Sequence, residues 1–450
     1  MENWSISYSV NWRIGQLFNK IKEEINIYKV IKLENGLRIV VEEMPYMKSV
    51  AIIFGIGVGS RYEVQKYQGI SHLIEHMLFK GTNKRKSTLE ISQAIEGIGG
   101  EINASTSKET THLYAKVPQK QFQTAFGVLA DIILNSLMRE EDLHKEKNVI
   151  IEEIKKYQDM PEELVEILLD RIMWKNHPLG RSILGDKKRV SNIQREDILS
   201  YINKFYRPNN LVISVAGNIK TAEVIMQVEK YFKTMEKAKI KNYLPVKGNQ
   251  KNTQTGIKFK KSNQTHLSFG FPGISRLDPD KYSADLLDII LGSGLSSRLF
   301  QEIRVKKSLA YDIHSFIQYF NDISSFNIYA GIDSSKLKET IQTILEELNK
   351  IKNNNLKEDE LKKAKEMYKG ALSLSLESTL SRAFWLGNRM LLYGSPSTFN
   401  EIKEKIEEVK VEDIQKMAQN IFSKDKINLS IVGPFKEKNK EEYDSLLQKL

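Results

Sequence analysis

Two stretches of this chain repeat each other at a spacing of about 215 residues, and no other feature narrows its possible folds so far. Ser60-Arg61 with Lys66-Tyr67 recurs as Ser275-Arg276 with Lys281-Tyr282, each pair of positions 215 residues apart. Glu196-Asp197-Ile198 recurs as Glu412-Asp413-Ile414 at an offset of 216. Each of these is followed by an apolar run, Leu211 to Gly217 and Leu429 to Gly433. The period is far longer than that of a solenoid, so it signals a duplicated domain. A chain of 450 residues has room for two such domains, each with its own core.

In the first copy, Gly36 to Val41 and Ser49 to Phe54 are β-branched runs bounded by turn formers, which predict strands. Apolar residues recurring at three and four positions predict helices over Ile70 to Phe79, Leu89 to Ile98, Gln121 to Leu137 and Glu140 to Gln158. The expected fold class is α+β: two homologous halves, each a sheet covered by helices on one face. Residues 236–256, polar and Lys-rich with Pro245 and Gly248, predict a linker between domains at 29–235 and 257–450. Residues 1–28 have no counterpart in the second copy and form an N-terminal extension. There Trp4, Trp12 and Ile14 to Ile25 predict an amphipathic helix docked on the core.

The net charge of +11 raises the question of nucleic acid. Lys alternates with Glu along the predicted helices, as in Lys20-Ile21-Lys22-Glu23-Glu24 and from Glu401 to Glu408, which describes solvated helix faces. No nucleic-acid partner is expected. No run reaches the roughly 20 apolar residues that span a bilayer, so no membrane partner is expected either. The N-terminus lacks the order of a secretory signal, and Glu23 and Glu24 argue against a transit peptide, so the expected compartment is the cytoplasm. The chain has no cysteine, so a bound metal must be held by His and carboxylates.

Such a set exists in His72-Leu73-Ile74-Glu75-His76, on the first predicted helix. Residues four apart share a helix face, so both imidazoles can reach one ion, and Glu75 projects to the same side. Two neutral histidines suit zinc, and a carboxylate beside the open coordination position can take a proton from water. A third protein ligand is needed. The segment Glu146 to Glu153 offers acidic positions seven apart, close to two turns of a predicted helix and so on one face.

These residues resemble the M16, or pitrilysin-like, family of zinc peptidases, whose pattern is HxxEH followed by a ligand Glu some 76 or 77 residues after the second His. Glu152 lies at 76 and Glu153 at 77. The family's second acidic residue, seven before the ligand, falls on Glu146 if Glu153 is chosen, and on Lys145 if Glu152 is. The resemblance therefore implies His72, His76 and Glu153 as ligands of one Zn2+ per chain, Glu75 as general base and Glu146 as support. At the 215-residue offset the second copy carries Leu287, Ile290 and Leu291, which cannot bind metal. It does carry Arg304 and Tyr311, which resemble the family's Arg/Tyr pair that reaches across to stabilise charge developing on the substrate carbonyl.

Gly99-Gly100 followed by Glu101 to Thr106 and Thr110 to Tyr114 reads as two edge-capable strands after a turn. In the family this edge receives the substrate as an added strand, which makes Asn103 and Ala104 the candidate contacts. The other histidines, His112, His144, His177, His266 and His314, show no ligand spacing. The resemblance runs from about Leu33 to Val432 and looks closest to the M16B subgroup, similar to the mitochondrial processing peptidases, in which two clamshell chains enclose a chamber. It implies a metalloendopeptidase acting on unfolded peptides, most simply as a homodimer, with a heterodimer as the alternative. Two rival readings are a catalytically silent structural or partner subunit, and a zinc hydrolase with a non-peptide substrate.

Overall fold

The computed structural model describes residues 28–450, except 248–249 and 354–355. The N-terminal extension, with the helix predicted over Ile14 to Ile25, lies outside the described residues. The first half runs β1 (Lys29–Lys32), β2 (Arg38–Glu43), β3 (Ser49–Ile56), α1 (Ile70–Leu78), α2 (Thr88–Glu96), β4 (Glu101–Thr106), β5 (Thr111–Pro118), α3 (Phe122–Asn135), α4 (Glu140–Asp159), α5 (Pro161–Met173), α6 (Lys187–Asn192), α7 (Arg195–Phe205), β6 (Leu211–Gly217) and α8 (Thr221–Phe232). The second continues with β7 (Gln254–Phe259), β8 (Gln264–Gly273), α9 (Lys281–Leu291), β9 (Ala310–Tyr319), β10 (Ser324–Asp333), α10 (Leu337–Lys352), α11 (Glu358–Ser375), α12 (Thr379–Leu392), α13 (Phe399–Glu408), α14 (Val411–Ile421), β11 (Asn428–Gly433) and α15 (Lys440–Leu447).

The duplication is visible in the strand order. The first sheet runs β1-β2-β6-β3-β5-β4 and the second β7-β11-β8-β10-β9, the same arrangement once β1 is set aside. In each, one pair is parallel, β2 with β6 and β7 with β11, and the other pairs are antiparallel. The predicted strands and helices of the first copy all form, with ends shifted by one or two residues except that β5 runs four residues past Tyr114, to Pro118.

The expectation of a sheet covered on one face is corrected. Strands β3 and β6 are buried along nearly their whole length, as strands are when both faces are covered. On one face lie the half's own helices, with Phe54, Phe126 and Phe232 in mutual edge contact. The other face is covered by α12, from the second half, whose Ala383, Leu386 and Met390 pack on Val40, Ala51, Ile53, Val212 and Ala216. The exchange is reciprocal. From the first half, α5 packs Val165 against Tyr329 and Val432, while Leu169 and Met173 close over Gly270 of β8, which a Cβ would push against the Met173 methyl at 2.5 Å. Each half thus lends one helix to the other's sheet.

A buried ion cluster joins the halves of this clamshell at the repeated Arg positions. Arg61 Nη1 donates to Glu109 Oε1 at 2.7 Å and Arg276 Nη1 to Glu109 Oε2 at 2.8 Å. Arg61 Nη2 also reaches Asp322 at 2.6 Å, and the guanidinium stacks 3.9 Å from the centre of the Tyr243 ring. Among the described residues, no helix is long and apolar enough to cross a membrane.

Candidate metal centre

Helix α1 carries the centre, and its start is pinned by backbone chemistry. Gly69 sits at φ +96, a left-handed conformation, and a Cβ there would meet the Leu184 carbonyl oxygen at 2.7 Å. The buried Glu63 carboxylate accepts from the Gly69 N–H at 2.8 Å and the Ser71 N–H at 2.9 Å, satisfying donors that a helix start leaves unpaired. Along α1, Ile70, Leu73, Ile74 and Met77 are fully buried in the core. That fixes the rotation of the helix and presents His72 and His76 to α4, their ring centroids 4.7 Å apart.

Glu146 and Glu153 face these imidazoles from α4. Glu153 Oε2 lies 3.8 Å from His72 Nε2 and 3.8 Å from His76 Nε2. Candidate ligand atoms of His72, His76 and Glu153 all fall within 4.8 Å of one another, the one such group among the described residues. Glu152 points away: its side chain is 71% exposed and pairs with Lys155 at 2.7 Å. Glu146 accepts from His76 Nδ1 at 3.0 Å and from Lys80 Nζ at 2.7 Å. Burial works to raise the Glu146 pKa, but these two hydrogen bonds prevail and hold it below the usual carboxylate range.

The donor set fits zinc. Burial, with the neighbouring His76, pushes the His72 pKa down to about 4, so its imidazole is neutral at pH 7, the form a metal requires. Glu75 Oε2 is buried with no close hydrogen-bond partner among the described residues. Burial raises the Glu75 pKa and the Glu153 charge adds to this, while Thr106 and His76 oppose it. A cavity of about 290 Å³ opens beside His72, Glu153 and Thr106.

Other predicted residues are placed less compactly. Asn103 and Ala104 lie on β4, at the open edge of the first sheet, against which α1 packs. Of these two strands β4 is the edge; β5 is enclosed between β3 and β4, which corrects the reading of two edge-capable strands. The Ala104 N–H donates to the Asn103 side-chain oxygen at 2.8 Å. Arg304 and Tyr311 are brought to each other, the guanidinium 5.3 Å from the ring centre. Tyr311 is exposed and lines a separate cavity of about 870 Å³, which shares Glu163 and Glu166 of α5 with the cavity beside His72. Leu287, Ile290 and Leu291 are buried apolar residues of α9. The remaining histidines take no part in the cluster.

Sequence reasoning missed Glu63, Lys80 and Thr106. Lys80 was legible, lying four residues after His76 on the face that carries the motif. Glu63 and Thr106 reach the site through tertiary structure.

Two family models match in tandem: "Insulinase (Peptidase family M16)" over residues 38–187 and "Peptidase M16 inactive domain" over residues 192–368. An uncharacterized zinc protease, YmxG, of Bacillus subtilis is 40% identical over 404 residues, covering 89% of this chain and 97% of that one. An uncharacterized zinc protease of Streptomyces coelicolor is 34% identical, covering 90% and 89%. Among solved structures, a protease from Helicobacter pylori matches with a TM-score of 0.84 at 23% identity, over 90% of this chain and 99% of that one. A chain of complex III2 from Candida albicans matches with a TM-score of 0.79 at 21% identity, over 93% and 99%. The structural matches share the fold, and the relatives share the sequence along most of its length: this protein belongs to peptidase family M16.

Proposed function

We propose that the chain is a zinc-dependent endopeptidase that hydrolyses unfolded peptide segments, with one Zn2+ held by His72, His76 and Glu153. The observation that carries this reading is the convergence of those three ligands beside the Glu75 carboxylate, whose Oε2 is buried with no close hydrogen-bond partner among the described residues. It also weighs against a catalytically silent subunit, which has no need of an intact ligand set. When bound, zinc supplies Lewis-acid chemistry that polarises a carbonyl and acidifies water.

The protein's own groups do the rest. Glu75, its pKa raised by burial, takes the proton from the attacking water at Oε2 and returns it to the leaving amine. Glu146 holds His76 through Nδ1 and so orients its Nε2. The edge of β4 at Asn103 and Ala104 aligns the substrate as an added strand, with Asn103 releasing the Ala104 N–H to it. Arg304 and Tyr311 offer a cation and a phenol to the developing oxyanion. The resemblance further suggests two copies of the chain enclosing a chamber, which sedimentation of the zinc-loaded protein tests.

The test of the whole reading is digestion of an unfolded polypeptide with metal content measured in parallel. Cleavage should vanish on chelation and return with zinc. Arg304→Ala and Tyr311→Phe should each lower turnover by roughly tenfold or more with zinc retained. Cleavage by the stripped protein would overturn the reading.

A further inference from the structure

Glu153 is the proposed zinc ligand that α4 supplies, and its carboxylate has no close hydrogen-bond partner among the described residues; it approaches His72 Nε2 and His76 Nε2, each at 3.8 Å. The other two ligands are better held. His76 is fixed through Nδ1 by Glu146, and His72 rides on α1, whose core face is fully buried. The backbone of α4 therefore places Glu153, and what fixes α4 fixes the ligand.

The end of that helix is gripped from the other half. Lys260, in the turn after β7, donates from Nζ to the Asp159 carbonyl at 2.7 Å and the Gln158 carbonyl at 3.0 Å. A helix leaves its last carbonyls without intrahelical partners, and a cation there also meets the negative end of the helix dipole. The grip has a firm base, since the Lys260 N–H donates to the Gly433 carbonyl at the end of β11 at 2.8 Å. Gln158 follows Glu153 by five residues, about 8 Å along the helix axis. On the turn between them Tyr157 lines the cavity beside His72 together with Glu153.

Beyond this clamp the chain leaves α4 little slack. Met160 alone separates it from α5, and α5 lies on the second sheet. There the Val165 carbonyl accepts from the Ser430 hydroxyl of β11 at 2.9 Å, and a Cβ on Gly256 of β7 would meet Ile172 at 3.1 Å and Leu168 at 3.3 Å. A shift of the second sheet is thus passed to the end of α4 by two routes, through Lys260 and through α5.

We infer that Lys260, a residue of the metal-free half, is a positioning residue for Glu153, so that zinc binding in the first half is coupled to the packing of the second. The inference rests on Glu153 being a zinc ligand. Such coupling is reciprocal: what Lys260 contributes to zinc affinity, zinc returns as stability of the turn that carries Lys260.

The experiment measures zinc affinity of the full chain by competition with a chromogenic chelator, and amide exchange at residue 260 with and without zinc. Lys260→Met keeps the stem but removes the donors and should weaken zinc binding about tenfold, within the usual range of coupling between sites. Lys260→Gln should do the same and carries the test if Lys260→Met fails to fold. Lys260→Arg, which retains a cation and donors, should recover the affinity, and Lys261→Met, on the exposed neighbouring side chain, should leave it unchanged. Zinc should slow exchange of the residue 260 amide by about tenfold in the wild type and much less in Lys260→Met. A residue that only stabilised the fold would lower the melting temperature without altering zinc affinity. Equal zinc affinity in the wild type and the two neutral variants, a loss that arginine does not restore, or exchange insensitive to zinc in the wild type overturns the inference. A wild type that takes up no zinc overturns instead the assignment on which it rests.

Discussion

Arg61 and Arg276, 215 residues apart and equivalent in the duplication, donate to opposite oxygens of a single carboxylate, that of Glu109. Arg61 is 1% exposed and Arg276 9%; Arg61 also pairs with Asp322, so Glu109 is the carboxylate that both guanidiniums share out of water. Removing one member of a buried pair leaves an uncompensated charge, which costs more than the pair's net contribution. Glu109→Gln should therefore destabilise the chain by about 3 kcal/mol and expose the linker to protease. Urea unfolding and limited proteolysis check this; a loss under about 1 kcal/mol would mean that α5 and α12 alone hold the halves together.

Glu152 and Glu153 are adjacent in sequence and opposite in role. Glu153→Gln should abolish stoichiometric zinc binding, while Glu152→Gln, altering an exposed side chain paired with Lys155, should leave metal content and stability unchanged. Metal analysis of the two purified variants separates them.

Glu146 acts through His76. Replacing it with Gln removes the charge that holds Nδ1 and Lys80, and zinc affinity should fall by roughly tenfold to a hundredfold, as for other partners of ligating histidines. Competition with a chromogenic chelator measures the change.

Glu166 gives a pH-dependent stability. Burial, reinforced by Asp170 and Glu163, raises its pKa to about 7 with the nearby Ser268 opposing the rise, and its Oε1 has no close hydrogen-bond partner among the described residues. A carboxyl raised in the folded state contributes stability that is fully present below its unfolded pKa, near 4.5, and lost as pH rises through 7. Glu166→Gln should therefore stabilise the protein at pH 8 by on the order of 2 kcal/mol and have little effect at pH 5. Thermal melts at the two pH values check the sign.

Much of this architecture was legible because it rests on local rules. The β-branched runs of β2 and β3 and the three-four periodicity of α1 and α4 fix element types, and the spacing of His72, Glu75 and His76 puts them on one helix face. The repeated Ser-Arg pairs marked the duplication but gave no hint that Glu109 binds both arginines, since the contact depends on how the halves meet. The exchange of α5 and α12 was hidden for the same reason: their apolar stripes show that they are buried, not against which sheet. Glu63 approaches the start of α1 only because the turn through Gly69 folds back on it. Arg304 and Tyr311, seven apart in sequence, are brought side by side.

The most direct measurement is zinc content and peptide cleavage in Glu75→Gln. The substitution preserves shape and leaves His72, His76 and Glu153 untouched, so one zinc per chain should remain while cleavage falls by roughly 10²- to 10⁴-fold, the range of a lost general base. Cleavage at the wild-type rate with zinc fully bound would contradict the account.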